Sequence, residues 1–418
     1  VKVLVQKFGG TSVQSAEVRR QAAEHVVDAV DEGYRVVVVV SAMGRKGNPY
    51  ATDELLGLVE SGSVDDRDLD VLLSCGEAIS AVVFSSELGT RGLGVTVLNG
   101  NQAGILTDDQ YGDARIQSVQ TERLRMELEK HDVVIVMGFQ GYTEDGNVTT
   151  LGRGGSDTTA AALGTALDAD RVEIFSDVNG VLTADPRLVE HAALLPQLTY
   201  TEACSLAWEG ARVIHPRAVE VAMQNNTPMV VRNTRNHLPG TRIVSSLQCI
   251  EDSKRCNGTV IGITYRTDLV QVSVGAVADA QQVVFRAVAD CGVQPGFVLS
   301  SPMQVSFTLP AMHADSVAQS LTQLGQHFKL IHDCARVSVV GTKLDEISGL
   351  MGSILETLVS KNIEVLQSAD YQSTIRLLVR KSDMESAVCE LHNKLIRQCD
   401  DVARFPLTPK LMAGASLL

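Results

Sequence analysis

An α/β domain with a mostly parallel open sheet, followed by two small α+β modules, is the architecture this 418-residue chain predicts. Three observations predict it. Over the first 235 or so residues, strand-like runs alternate with helix-like runs, the order that builds parallel sheets through crossover helices. "YRVVVVVSAMG" is a continuous β-branched run that ends in small residues, as a strand buried on both faces should. Towards the C-terminus the order becomes strand–helix–strand–strand–helix, and it occurs twice.

Taken in order, Val1–Gln6 reads as a strand. Ala16–Asp31 has helical spacing through Val18, Ala22, Val26, Val27 and Val30. Further strands are expected at Gly94–Leu98, Val133–Met137, Val172–Phe175 and Met229–Arg232, with helices such as Asp157–Leu167 and Arg217–Gln224 between them. "RNHLPGTRIVSSLQCIEDSKRCNGT" is rich in turn formers and charge and marks a boundary. The expected division is a first domain over 1–245, a linker over 246–258, and βαββα modules over 259–334 and 335–410.

Hydrophobic residues make up 44% and charged ones 21%, which suits a soluble protein with a sizeable core. A net charge of -14 argues against a nucleic-acid surface. It leaves anionic ligands open, because glycine amides and a few cations override the global sign locally. The eight cysteines (Cys75, Cys204, Cys249, Cys256, Cys291, Cys334, Cys389, Cys399) form no CxxC pair, so zinc spacing is absent and reduced thiols are expected. No signal peptide is visible, and Val36–Val40 is too short to span a bilayer. A cytoplasmic protein without membrane or nucleic-acid partners is the expectation.

In "VQKFGGTSV", a strand runs into a glycine turn and a helix start. Glycine lets the backbone approach a phosphate, helix N-termini favour anions, and Lys7 adds a mobile charge. An ordinary strand-to-helix turn is the alternative. "TTLGRGGSDTTAAALG" puts Arg153, Gly154, Gly155, Ser156 and Asp157 before an Ala-rich helix; Ser156 or Asp157 suits its N-cap, and Arg153 is a fork for a carboxylate or phosphate. "IFSDVNGVLTADPR" follows a strand and carries Asp177, Thr183, Asp185 and Arg187. "CGEAIS" sets Glu77 on a helix among apolar neighbours, with a solvated helix face as the alternative. Neither a G-x-x-x-x-G-K-[ST] loop nor H-R-D and D-F-G signatures occur, so the phosphate machinery is of another kind.

Together these stretches resemble the aspartokinase family. The matches are "VQKFGGTSV", "VVVVSAMG" with "TDELL", "CGEAIS", "GFQG", "TTLGRGGSDTTA", "SDVNGVLTADPR" and "GARVIHPRAVEVA", in the family's order. "SAMGRKGNPYATDELLGL" and "VLQSADYQSTIRLLV" most resemble the diaminopimelate-sensitive aspartokinase I type of Bacillus-type bacteria. The resemblance implies a three-layer αβα amino-acid-kinase domain with two ACT modules. It implies transfer of the γ-phosphoryl group of ATP, with Mg²⁺, to the side-chain carboxylate of L-aspartate. The product, 4-phospho-L-aspartate, opens the route to lysine, diaminopimelate, threonine and methionine.

By the same resemblance, Lys7, Phe8, Gly9 and Gly10 contact the nucleotide phosphates. Ser176, Asp177 and the run Leu182, Thr183, Ala184, Asp185, Pro186, Arg187 form the nucleotide loop, with Arg212 nearby. Ser41, Thr52, Glu77, Arg153, Gly154, Gly155 and Ser156 match aspartate-binding positions. Lys7 and Asp157 are the catalytic pair, and no protein side chain is assigned to a metal. ACT sheets pair across subunits, so a homodimer or larger is implied. Many members have lysine at the position of Arg212. The first module lacks the usual Asp-x-Pro-Gly start ("VGAVADAQQVV"), the second lacks Pro-Gly ("GTKLDEISGLMG"), and the Gln-Asn pair of many effector pockets is missing. An amino-acid effector is expected, meso-diaminopimelate before lysine or threonine, with Asp370 and Arg376 as candidate contacts or else a solvated strand edge. Two other readings stand beside this one: a glutamate or acetylglutamate kinase, and a non-enzymatic ligand sensor on the same fold.

Overall fold

A computed structural model describes residues 2–211, 213–246, 259–275, 280–301, 303–371 and 373–396. Its contacts divide the chain into two units. Unit 1 gathers Val1–Val181, Leu194–Trp208 and Arg212–Lys254; unit 2 gathers Leu182–Ala193, Glu209–Ala211 and Arg255–Leu418.

Unit 1 is built on an eight-stranded sheet. Its centre is β1 (Val3–Phe8), flanked by β2 (Arg35–Val40) and β9 (Arg171–Ser176). Both neighbours run parallel to β1. On the β2 side follow β6 (Val133–Met137) and β3 (Val95–Leu98). On the β9 side follow β11 (Met229–Asn233), β12 (Thr241–Val244) and β10 (Gln197–Thr199). Only the β11–β12 pairing is antiparallel. All five valines of β2 are fully buried, which is what a strand covered on both faces by helices requires.

The helices follow from local signals. α2 (Ala16–Asp31) starts where the Ser15 hydroxyl accepts the Val18 N–H at 3.3 Å, and it buries Val18, Ala22, Ala23, Val26 and Ala29. With α4 (Asp66–Gly89) it covers the sheet face that carries Leu4, Phe8, Val36, Val38 and Val40. α6 (Gly155–Ala166) packs on β1, β2 and β9 and against α8 (Pro216–Gln224). Small residues let α6 lie close: a Cβ at Gly164 would sit 2.2 Å from Val172 Cγ2. A separate four-stranded sheet, in the order β5 (Ile116–Val119), β4 (Ile105–Thr107), β7 (Gln140–Tyr142), β8 (Val148–Thr150), completes the unit.

Val36–Val40, read as too short to span a bilayer, lies within strand β2. α4 is long and apolar enough, by length and composition, to cross a membrane. Here it is a core helix: Ala81, Phe84 and Leu88 are fully buried, and it also buries the acids Asp70 and Glu77.

Unit 2 holds one antiparallel six-stranded sheet in the order β14 (Gly296–Ser300), β15 (Gln304–Pro310), β13 (Thr259–Gly275), β16 (Phe328–Thr342), β18 (Thr374–Arg380), β17 (Gln367–Tyr371). Two βαββα runs supply it, with helices Ala280–Asp290, Ala314–Gln323, Leu350–Ser360 and Met384–Leu395. β13 and β16 each serve both runs. The first half of β13 pairs with Arg336–Thr342, and its second half with the start of β16, across a register slip between Arg266 and Leu269. Asp268 (φ 59°) sits at that slip, and Asp333 (φ 53°) at the next one, between Leu269 and Gln271. The expected junction at 334/335 therefore falls inside a strand, at its irregular point. The expected linker 246–258 lies, apart from Ser246, outside the described residues.

The expected first domain also yields two pieces to unit 2. Ala184, Val189 and Ala192 join the core that holds Val337, Leu377 and Leu391. Glu209, 2% exposed, is held by Arg376 (2.7 and 3.0 Å), by the Ser338 hydroxyl (2.6 Å) and by Arg336 (3.1 Å). Burial pushes the Glu209 carboxyl up, but the guanidiniums and the hydroxyl outweigh it and hold it below its usual value. Arg376, expected as an effector contact or a solvated edge residue, is instead in this buried ion pair. Asp370 is exposed on β17.

Candidate active site

A cleft of about 200 Å³ opens at the carboxyl ends of β1, β2 and β9, and Lys7, Gly9, Gly10, Gly44, Asp157 and Ser176 are among its lining residues. β1 is where the strand order turns from one direction to the other, the place where open parallel sheets bind ligands.

Strand alternation decides which side chains reach the cleft. Phe8 points into the core, fully buried and stacked on Phe175 with ring centroids 4.7 Å apart. Any contact it makes with a nucleotide is through its backbone. Lys7 points the other way, toward the first turn of α6, and its Nζ lies 2.7 Å from Asp157 Oδ1. Both side chains are 12% exposed. Asp157 Oδ2 also accepts the His215 N–H at 3.3 Å. Neither Ser156 nor Asp157 caps α6, contrary to expectation. The cap is Gly154, left-handed at φ 69°, and no side chain completes it. A Cβ there would lie 2.1 Å from the His215 ring, so the turn and the approach both demand glycine. Gly10 is fixed by approach as well: its Cβ would fall 2.4 Å from the Gly44 carbonyl and 2.8 Å from that of Ala42.

Glu77 is not on a solvated face. It is 2% exposed; Oε1 accepts the Ala42 N–H at 2.9 Å, and Oε2 is buried without a hydrogen-bond partner. Burial pushes its carboxyl up to about 8. The adjacent Ser41 donates its N–H to the Phe8 carbonyl at 3.1 Å, which ties this loop to the end of β1. Thr52 opens the short helix Thr52–Leu56 and is half-buried. Arg153 is exposed, and its guanidinium has no partner among the described residues. Ser156 and Gly155 are buried at the start of α6.

Ser176 and Asp177 follow β9, where the Ser176 hydroxyl donates to Asp177 (3.1 Å) and Arg45 pairs with Asp177 (3.1 Å). Leu182 to Arg187 belong to unit 2. There the Thr183 hydroxyl is buried between His392 (2.8 Å) and the Ala193 N–H (2.9 Å), and Ala184 is 6% exposed. Arg187 is exposed and forks onto Asp185 at 2.6 Å, while Asp185 and Pro186 are half-buried. Arg212 lies outside the described residues.

Sequence reasoning missed several groups. Asp70 is 1% exposed, yet "DLDVLL" reads as an ordinary amphipathic helix. His215 and the Arg217–Asp113 pair gave no local signal, because their partners are distant in the chain. His25, Asp28 and His237, none of them expected to ligate a metal, lie with ligand atoms within 4.8 Å of one another. The His25 Nε2 already donates to the Thr234 carbonyl at 3.0 Å. The five described cysteines are all free.

The sheet, the cleft and the Lys7–Asp157 pair define a small-molecule kinase of the amino acid kinase family, and that family matches residues 2–233. An ACT domain matches 329–393. Aspartokinase 1 of Bacillus subtilis is 46% identical over 397 residues, covering 94% of this chain and 98% of the relative. The chain belongs to the aspartokinase family, the ATP-dependent kinases of L-aspartate. Among solved structures, E. coli aspartokinase III in complex with aspartate and ADP (R-state) matches with a TM-score of 0.76 at 23% identity, covering 94% of this chain and 100% of that one. The same protein in complex with lysine and aspartate (T-state) matches with a TM-score of 0.73 at 23% identity, covering 94% and 99%. These two likenesses bear on the fold.

Proposed function

We propose that the cleft of unit 1 is where this aspartokinase transfers the γ-phosphoryl group of ATP to the side-chain carboxylate of L-aspartate. The observation that carries the reading is Lys7, at a strand end with its side chain 12% exposed, held 2.7 Å from Asp157 beside Gly9 and Gly10. A cation fixed there stabilises charge on the transferring group, and Asp157 keeps it aimed. The attacking oxygen is already a carboxylate, so positioning does the work and no strong base is needed. Arg153, without a protein partner, offers a planar fork to a carboxylate of aspartate. Glu77 offers its unpartnered Oε2 to the ammonium, whose arrival favours the ionised acid. Ser41, Thr52 and Ser156 complete the amino-acid side. Ser176 and Asp177, at the end of β9, are the nucleotide side within this unit.

When bound with ATP, Mg²⁺ would supply charge neutralisation at the phosphates. The cleft-lining carboxylate, Asp157, is engaged by Lys7, so phosphate oxygens and water are the expected ligands. A cytoplasmic location is the compartment assigned here.

The regulatory reading rests on unit 2. Its edge strands β14 and β17 expose Val298, Leu299 and Tyr371, which suits side-by-side pairing in a homodimer. E. coli aspartokinase III has been solved with lysine, and meso-diaminopimelate is the effector assigned here, with lysine and threonine behind it. ADP release coupled to NADH oxidation tests the whole. Aspartate should support turnover and glutamate should not. With each amino acid added at millimolar concentration, diaminopimelate should inhibit. Turnover with glutamate alone would refute the substrate; inhibition by lysine or threonine alone would refute the effector.

A further inference from the structure

Arg153 is exposed between two glycines, and a side chain so placed is aimed only as well as its turn is held. Three groups outside the cleft hold that turn. Asp70 on α4 is 1% exposed, and its carboxylate accepts the Thr150 N–H (2.7 Å), the Thr150 hydroxyl (2.6 Å) and the Gly112 N–H (3.0 Å). It thereby joins the end of β8 to the 112–113 loop. Arg217, in the first turn of α8, forks onto Asp113 at 2.8 and 3.0 Å and also donates to the Leu151 carbonyl at 3.2 Å. Gly152 is left-handed (φ 68°), and a Cβ on it would lie 2.6 Å from Asp113 Oδ1. The turn Leu151–Gly154 is thus clamped between the Asp113 loop on one side and His215 and Arg217 on the other.

We propose that Asp113 and Arg217, anchored through Asp70, are positioning residues that aim Arg153 at the amino-acid substrate. None of the three is assigned a contact with substrate. The fork is a geometric device: two parallel hydrogen bonds fix the loop in rotation as well as in distance. Asp113 is held below the usual carboxylate range, its hydrogen bonds from Arg217 being the largest cause, as a persistent pair requires. Small misplacements of a substrate-binding group are expensive in rate, up to about 10²-fold for about 1 Å.

The proposal rests on the reading that Arg153 binds aspartate, and the experiment separates the two. Asp113→Asn, Arg217→Gln, the double variant and Arg153→Lys are assayed for KM of aspartate, KM of ATP, kcat and Tm. Each single brace variant should raise KM for aspartate about ten-fold and leave KM for ATP within about two-fold. The double variant should be no worse than Arg217→Gln alone, which already removes the pair. Arg217→Lys, which keeps the charge and loses the fork, should rescue little. If Arg153→Lys raises KM for aspartate and the brace variants only lower Tm, the brace is structural and the proposal fails. If the brace variants raise KM for aspartate while Arg153→Lys does not, the aim is real but Arg153 is not its target. A rise in KM for ATP alone overturns both.

Discussion

Replacing Lys7 by methionine keeps the length of the side chain and removes its charge, and two readouts should then part company. The Lys7–Asp157 contact of 2.7 Å corresponds to about 6 kcal/mol of gross Coulomb attraction at an effective dielectric of about 20. Most of that offsets desolvation. Removing one partner of a buried pair costs about 3–5 kcal/mol, and the 12% exposure of both side chains argues for the lower end. For a unit of this size that is a fall in Tm of about 6–12 °C. Turnover should fall by about 10²–10³, the worth of one charge contact made in the transition state. The double variant Lys7→Met/Asp157→Asn removes the stranded charge, so most of the stability should return. Turnover should stay low, because the cation is still missing. Thermal melts beside the coupled ADP assay measure both. A folded Lys7→Met enzyme with kcat within three-fold of the parent would refute the role of Lys7. A double variant that regained turnover along with Tm would reduce Lys7 to a counter-ion.

Two further perturbations test the cleft and the buried acid beneath the loop after β2. Glu77 keeps its proton up to about pH 8 in the folded state, while the unfolded chain releases it near 4.5. The folded protein therefore loses stability as pH rises through that window, by a few kcal/mol at most. Glu77→Gln removes this slope, so urea melts at pH 5 and pH 8.5 should show the variant gaining on the parent; parallel curves would show that Glu77 is ionised throughout. In Gly10→Ala the new methyl group meets two backbone carbonyls at 2.4 and 2.8 Å, so the loops after β1 and β2 must separate. A loss of about 1–3 kcal/mol and at least a ten-fold loss of kcat are expected. Gly89→Ala, at the end of α4 with nothing within 4 Å, is the control and should be neutral or slightly stabilising.

The local grammar of the chain determined a good deal. α2 runs over the predicted Ala16–Asp31, β6 over the predicted Val133–Met137, and the other predicted strands and helices of unit 1 differ by one or two residues at their ends. Runs of valine and the 3.6-residue spacing of alanine and valine specify backbone conformation and buried faces directly, because those follow from neighbours in sequence. The motifs were legible for the same reason: glycine turns and the charged residues beside them are contiguous.

Pairing across distance was not legible. Lys7 meets Asp157 and Glu209 meets Arg376 only because strand order and helix packing bring them together. The depth at which Glu77 lies, and so its proton, depends on Ala42 and on how closely α4 approaches it at Gly76. Segment 182–193 was expected with the first domain, yet its alanines and valine bury more completely in the core of unit 2. Hydrophobic burial has no direction and does not respect chain order, so which core a loop joins is decided by the total packing and by no short stretch of sequence.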